Sequence, residues 1–209
     1  MFGDYLVLDH YSEQIAKKIF KKLPKKLLLK KKTVICIGGI SGTRKSETAF
    51  RLAEILIENG KQCHVISGDD YYKVPWDLRN DHRKKNGVEK TVGPKEWDWK
   101  RLWWTLETFR NPLYGTVQFF LTSKFSTAIM RSSIEKQNCD ILILEGLYAC
   151  HQDIGADFIV HIGSTDPTST YKFRNKRGKE DEESELRAQI VKAECAAIED
   201  LKQYAQIIV

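Results

Sequence analysis

Residues 33–60 read TVICIGGISGTRKSETAFRLAEILIENG. Residues 33–37 are rich in β-branched side chains and lie between lysines and glycines, the pattern of a short strand buried on both faces. From Ser46 the period changes. Ala49, Leu52, Ala53 and Leu56 recur at the i, i+3, i+4, i+7 spacing of an amphipathic helix, and Asn59-Gly60 is a helix stop. Between strand and helix lies Gly38-Gly39-Ile40-Ser41-Gly42-Thr43-Arg44-Lys45-Ser46. A Gly-rich turn running into a helix N-terminus aims backbone N–H groups and the positive end of the helix dipole at one spot, and phosphate is its natural occupant.

The spacing from Gly39 to Lys45-Ser46 is that of a P-loop, in which the lysine reaches the β- and γ-phosphates and the hydroxyl holds Mg²⁺. Gly39, Ser41, Gly42, Thr43, Arg44, Lys45, Ser46 and Glu47 are therefore the candidate nucleotide site. One position departs from the motif: the residue before the lysine is Arg44, where glycine is expected. Its Cβ would crowd a loop that must hug the nucleotide, or its guanidinium would add a donor to the phosphates. Both readings stay open on the sequence.

The 209 residues suit one domain with a substantial core. The longest apolar runs are four or five residues, far short of the roughly 20 that a membrane helix needs. No signal peptide is visible, so the expectation is a cytoplasmic protein. The five scattered cysteines form no C-x-x-C pair, which suits reduced, packed thiols and disfavours zinc. The net charge of +6 is local. Residues 17–32, KKIFKKLPKKLLLKKK, carry most of it, and a second basic cluster spans 79–85. Such a lysine-rich face is usually just solvated, and a membrane-surface or RNA role is the minority reading.

Along the chain, residues 1–32 read as an accessory basic extension, with a helix over 12–22 capped by Ser12 and broken at Pro24. A second strand, 62–67, ends in Gly68-Asp69-Asp70-Tyr71-Tyr72. In open α/β sheets ligands lie beyond the carboxyl ends of the strands, which sets Asp69 and Asp70 level with the phosphate loop. Residues 73–100 show no clear period, and a long irregular stretch in a compact domain is usually functional. A helix over 99–110 is expected to pack Leu102, Trp103 and Leu106, and 116–121 with 125–130 read as a hairpin. Residues 140–146, DILILEG, are a buried strand ending in a carboxylate. Residues 156–163 are another strand, with His161 a satisfied core residue, and 182–204 have helical spacing through Leu186, Ile190, Ala193, Ala197, Leu201 and Tyr204. Residues 205–209 close the sheet. The order predicts an α/β fold: a doubly wound, mainly parallel sheet with flanking helices, a small hairpin excursion and a helical lid.

Taken together, these motifs resemble the uridine kinase and phosphoribulokinase group of P-loop kinases over most of residues 33–209. The phosphate loop, VISGDDYYK (65–73), LILEGLYA (142–149), DFIVHIGS (157–164) and the closing YAQIIV occur in the family's order. Arg174 and Arg177 are spaced like its lid arginines. The resemblance implies a kinase domain over 33–209, with an acceptor-binding excursion over 70–130 and a lid over 167–180. It implies ATP and Mg²⁺ as cofactors. Lys45 would bind the β- and γ-phosphates, and Ser46 and Glu145 would serve the metal. Asp69 would be the base, with Asp70 a turn residue, and Arg174 and Arg177 would complete the catalytic set. Tyr72, Arg79, Arg83, Asp98 and Glu145 are the candidate acceptor contacts. The family's uridine-binding segments are not matched at 118–123 or 93–98, so the ATP side carries over and the uridine side does not. Arg79, Arg83 and Lys84 would suit an anionic acceptor such as a sugar phosphate or carboxylate.

The leading expectation is a kinase acting on a small hydroxyl-bearing metabolite, with no membrane span, nucleic acid disfavoured as a partner and homo-oligomerisation left open. Two other classes compete. One is a nucleotide-binding protein without kinase activity, in which Arg44 marks a repurposed loop. The other is a nucleic-acid-associated P-loop ATPase that uses the lysine-rich N-terminus.

Overall fold

The computed structural model describes residues 6–163, 170 and 185–209. Its centre is strand β1, Thr33–Gly38, buried along its whole length. Around it the strands β2 (Cys63–Ser67), β5 (Ile141–Gly146), β6 (Phe158–His161) and β7 (Ile207–Ile208) form one sheet in the order β2-β5-β1-β6-β7. Every pairing in it is parallel. This is the doubly wound α/β fold that the order of motifs predicts.

Period-two alternation sorts the strands' side chains between two cores. Val34 and Cys36 of β1, with Leu142 and Leu144 of β5, face a layer holding Trp97, Tyr148 and the helix α6, Trp99–Arg110. Ile35, Ile37, Ile141 and Ile143 face the other way, against the helix α3, Lys45–Glu58. Ala49, Leu52, Ala53 and Leu56 form the buried stripe of α3, as their spacing predicts.

The N-terminal helix α1, His10–Lys22, lies on that second layer, with Ile15, Ala16 and Ile19 buried in the same cluster as the α3 stripe. Its lysines stay on the exposed face. The expected cap at Ser12 is corrected: the N-cap is Asp9, whose carboxylate accepts from the Ser12 N–H at 2.9 Å, and Ser12 is buried within the first turn. A short helix α2, Lys25–Leu29, follows Pro24.

The stretch after β2 is more ordered than its sequence suggests. It contains a 3₁₀ turn at Gly68–Tyr71, the helix α4 at Trp76–Asn86, a single helical turn α5 at Val88–Thr91, and a 3₁₀ turn at Pro94–Glu96. The missing period has a physical reason. The buried positions of α4 are Arg79 and Arg83, so no aliphatic stripe marks its inner face. Arg83 sits in a buried network, donating to both carboxylate oxygens of Glu96 at 2.8 and 3.0 Å and lying 3.5 Å from Glu194. Glu194 belongs to the C-terminal helix α7, Glu185–Lys202, and Tyr148 donates to Glu96 from the β5 side.

Three further expectations are adjusted. Trp103 is 50% exposed, and α6 instead buries Leu102, Leu106 and Phe109. The inner face of α7 runs through Ile190, Glu194, Ile198 and Leu201, with Ala193 and Ala197 only flanking it; its expected start at Glu182 lies outside the described residues. The hairpin is longer than expected, with β3 at Thr116–Ser123 and β4 at Ser126–Glu135 in a separate two-stranded sheet.

The ends of β2 and β5 are closed by Trp97, which is fully buried. A Cβ added at Gly68 would stand 2.2 Å from the Trp97 ring, and one at Gly146 would stand 3.0 Å from it. Neither glycine is there for its turn geometry; both make room for the indole. Gly68→Ala is therefore expected to lower stability by about 1–3 kcal/mol, the usual cost of overpacking a tight core. Gly115→Ala, where an added Cβ meets nothing within 4 Å, should stay within about 0.5 kcal/mol of the parent. Urea unfolding of both variants checks this, and equal midpoints would contradict the role given to Trp97.

Candidate active site

Parallel pairing lines up the carboxyl ends of three strands. Ile37 of β1 pairs with Glu145 of β5, and Glu145 in turn pairs with Ser67 of β2. The loop that leaves β1 is shaped by backbone conformations that a side chain opposes. Gly39 has φ +148°, and a Cβ there would stand 2.5 Å from the Ile162 carbonyl oxygen. Gly42 has φ +83°. The loop then enters α3, whose first-turn N–H groups have no intrahelical acceptors by construction.

Arg44 is the N-cap of α3 in the left-handed conformation, φ 62° and ψ 32°. That explains why the motif has glycine there, since a side chain in this region costs roughly 1–2 kcal/mol. The guanidinium takes up an arrangement that neither sequence reading contained. Its Nε donates to Asp9 Oδ2 at 2.7 Å, and its carbon lies 4.9 Å from the centre of the Tyr11 ring. Burial alone would raise the Asp9 carboxyl. The Ser12 N–H and Arg44 outweigh burial and hold its pKa below the usual value. The backbone N–H of Val7 reaches Glu47 Oε1 at 3.4 Å, so the segment before α1 runs across the start of α3.

Lys45 is buried, and its ammonium donates to the Ile40 carbonyl of its own loop at 2.7 Å. The Thr43 hydroxyl donates to the same carbonyl at 2.9 Å. Ser46 occupies the first turn of α3.

Three carboxylates at the ends of β2 and β5 are in different states. Glu145 is buried and accepts from the Ser67 hydroxyl at 2.6 Å. Burial and then the charge of Asp69 push its pKa up, against the opposing pull of Lys45 and Ser67. Asp70 is buried and accepts from both the N–H and the hydroxyl of Thr122, at 2.8 and 2.9 Å, which fastens the 3₁₀ turn to β3. Burial raises its pKa as well. Asp69 is half-buried, and its carboxylate has no hydrogen-bond or ion-pair partner among the described residues.

Asp69 opens onto a narrow cleft between α4 and the tip of the hairpin, walled by Tyr72, Trp76, Arg79, Thr122, Ser126 and Ile129 among others. Its cavity volume is small, about 20 Å³. The Arg79 guanidinium lies 3.5 Å from the Tyr72 ring centre and 5.3 Å from that of Trp76. Of the expected acceptor contacts, Tyr72 and Arg79 thus line the cleft. Arg83 does not, being held by Glu96 and Glu194. Asp98 is the N-cap of α6, accepting from the N–H and Nε of Arg101. Glu145 lies at the strand ends rather than in the cleft wall. The expected lid, 167–180 with Arg174 and Arg177, lies outside the described residues apart from Thr170.

Sequence reasoning missed Asp9, Tyr11, Trp76 and Thr122, of which only Asp9 carries a local signal, as a competent N-cap. His161 is fully buried as expected, but the expectation that it is satisfied is corrected. Among the described residues both ring nitrogens lack a hydrogen-bond partner, and its pKa is lowered to about 4, chiefly by burial, with Lys202 and Lys45 adding to the effect. The thiols of Cys63, Cys139 and Cys150 are pushed up to about 12, mainly by burial. No described helix is long and apolar enough to cross a membrane.

Comparison with known proteins agrees with this geometry. The chain is 26% identical over 190 residues to a bifunctional α-galactosidase/sucrose kinase from Mediterraneibacter gnavus, an alignment covering 85% of this chain and 20% of that protein. It therefore spans about a fifth of that relative's length. Among solved structures it resembles a possible uridine kinase from Bacillus stearothermophilus, with TM-score 0.62 and 18% identity over 94% of this chain and 96% of that one. It also resembles phosphoribulokinase from Rhodobacter spheroides, with TM-score 0.61 and 15% identity over 84% and 68%. At such identities these two likenesses are of fold alone. The profile of the Phosphoribulokinase / Uridine kinase family matches residues 34–162, more than half of the sequence. The chain belongs to the phosphoribulokinase / uridine kinase family.

Proposed function

We propose that the chain is a Mg-ATP-dependent kinase that phosphorylates a hydroxyl of a small metabolite. The observation that carries this reading is the contrast between the two adjacent aspartates. Asp70 is spent on Thr122, while Asp69 is held at the end of β2 with its carboxylate unengaged and facing the cleft. A protein that only binds nucleotide has no use for such a group.

The residues present fit the nucleotide. Gly39 and Gly42 hold the loop in backbone conformations that a side chain opposes, and the first turn of α3 supplies N–H donors for phosphate oxygens. Bound Mg-ATP supplies the transferable phosphoryl group and the metal charge that offsets its oxygens. Lys45, now resting on the Ile40 carbonyl, would exchange that acceptor for phosphate oxygens. Ser46 and Glu145 would serve the metal, which usually takes only one or two protein ligands. Asp69 would accept the proton of the acceptor hydroxyl, and Arg174 and Arg177 would meet the charge on the equatorial oxygens. The hairpin tip, beyond the Thr122 contact with Asp70, would have to give for a metabolite to enter.

Asp69→Asn keeps shape and hydrogen bonding but removes the proton acceptor. Phosphoryl transfer should fall by about 10²–10⁴-fold, while ATP affinity measured by calorimetry changes little. Transfer at the normal rate in the folded variant would sink the assignment of the base.

Glu145 supplies a second test, through pH. Its carboxyl is raised in the folded protein, so the fold holds that proton more tightly than the unfolded chain does. The stability this lends is present at low pH and is lost as pH rises through the folded pKa. Glu145→Gln should therefore raise the melting temperature of the ligand-free protein at pH 8 more than at pH 5, while lowering Mg-dependent turnover. A variant less stable than the parent at pH 8 would show that the carboxylate is a net structural anchor.

A further inference from the structure

We infer that the acceptor carries an anionic group, a carboxylate or a phosphate, and that Arg79 binds it. This rests on the kinase reading of the cleft and narrows it to a class of substrate.

Arg79 is only 7% exposed, yet it lines the cleft that Asp69 faces. Its Nε is buried without a hydrogen-bond partner, and no carboxylate pairs with the guanidinium among the described residues. Its neighbours are in a different state. Arg83, one turn along the same helix, is held by Glu96 and Glu194, and Arg101 is held by Asp98. A buried charge is costly unless it is paired. The Tyr72 and Trp76 rings supply cation–π contacts to the guanidinium. They provide no acceptor for its N–H groups, which lie in the plane of the guanidinium. A guanidinium fork matches carboxylate and phosphate oxygens in pairs.

The chemistry around it fits a small polar anion. Thr122, Ser123, Ser126 and Thr127 bring hydroxyl-bearing side chains to the hairpin wall, and among the described residues Asp69 is the only carboxylate in the lining. With the anion fixed at Arg79 and a hydroxyl at Asp69, the acceptor is held at two points. A neutral acceptor would leave the buried guanidinium without a counter-charge.

The test uses matched pairs that differ only in the anion: glycerate against glycerol, and ribose 5-phosphate and fructose 6-phosphate against the free sugars. Binding is read from tryptophan fluorescence, since Trp76 stands in the cleft, and turnover from ATP consumption. We expect an anionic member to bind about 10–100-fold more tightly than its neutral partner, as a hydrogen bond to a charged group implies. Glycerate and the sugar phosphates separate the two anion types. Arg79→Gln should abolish that preference and raise KM by a similar factor with kcat little changed. Arg79→Lys, which keeps the charge without the fork, should restore part of it and guards against a folding defect. An anion preference that depends on Arg79, without ATP consumption, would uphold the inference and overturn the kinase reading. Turnover that is equal for neutral and anionic partners, or unaffected by Arg79→Gln, would overturn the inference and leave the kinase reading standing. Binding of no member of any pair would also overturn it.

Discussion

The site depends on one constraint, the parallel pairing of β1 with β5 and of β5 with β2. Those ladders set Ile37, Glu145 and Ser67 in one row, so the Gly-rich loop and both candidate carboxylates leave the sheet at the same level. Parallel strands buried on both faces have little freedom to slip, because a shift of one residue would exchange the two cores. The price of the arrangement is electrostatic. Glu145 is buried beside the charge of Asp69, and Lys45 and the Ser67 hydroxyl offset this in part. A fold selected for stability alone would not keep that carboxylate, whereas one that must hold a metal near a triphosphate would.

Arg44 shows how a motif can lose its glycine and keep its backbone. The left-handed turn is retained, and the strain it imposes is offset by an ion pair with Asp9 and a ring contact with Tyr11. Asp9 is also the cap of α1, and α1 packs on α3, the helix that the loop begins. The basic N-terminal segment is thereby tied to the phosphate loop at two places, through its core face and through Asp9. The lysines of α1, Lys17, Lys18, Lys21 and Lys22, lie on its exposed face, opposite that core face.

How much of this was legible follows from where each interaction lies along the chain. β1 and β5 were readable because their burial is uniform, and α3 because its period is strong. The contrast between Asp69 and Asp70 was readable only as a register, since the Thr122 contact that distinguishes them spans 52 residues. α4 was missed because arginines form its inner face. Arg79 and Arg83 were indistinguishable as letters, and their different fates depend on Glu96 and on Glu194, far along the chain. The cap of α1 was misplaced by one turn because Asp9 and Ser12 are both competent N-caps. Trp97 gave no signal at all, since its partners, Gly68 and Gly146, lie in two other segments.

The central claim is that a P-loop with arginine before its lysine still binds a nucleoside triphosphate. Calorimetric titration of Mg-ATP into the parent protein and into Lys45→Ala tests it most directly. The account predicts binding by the parent, and for the variant an affinity lower by about 10–100-fold, the worth of a hydrogen bond to a charged group, with the fold intact by circular dichroism. Equal affinities in the two folded proteins, or no binding by the parent, would contradict it.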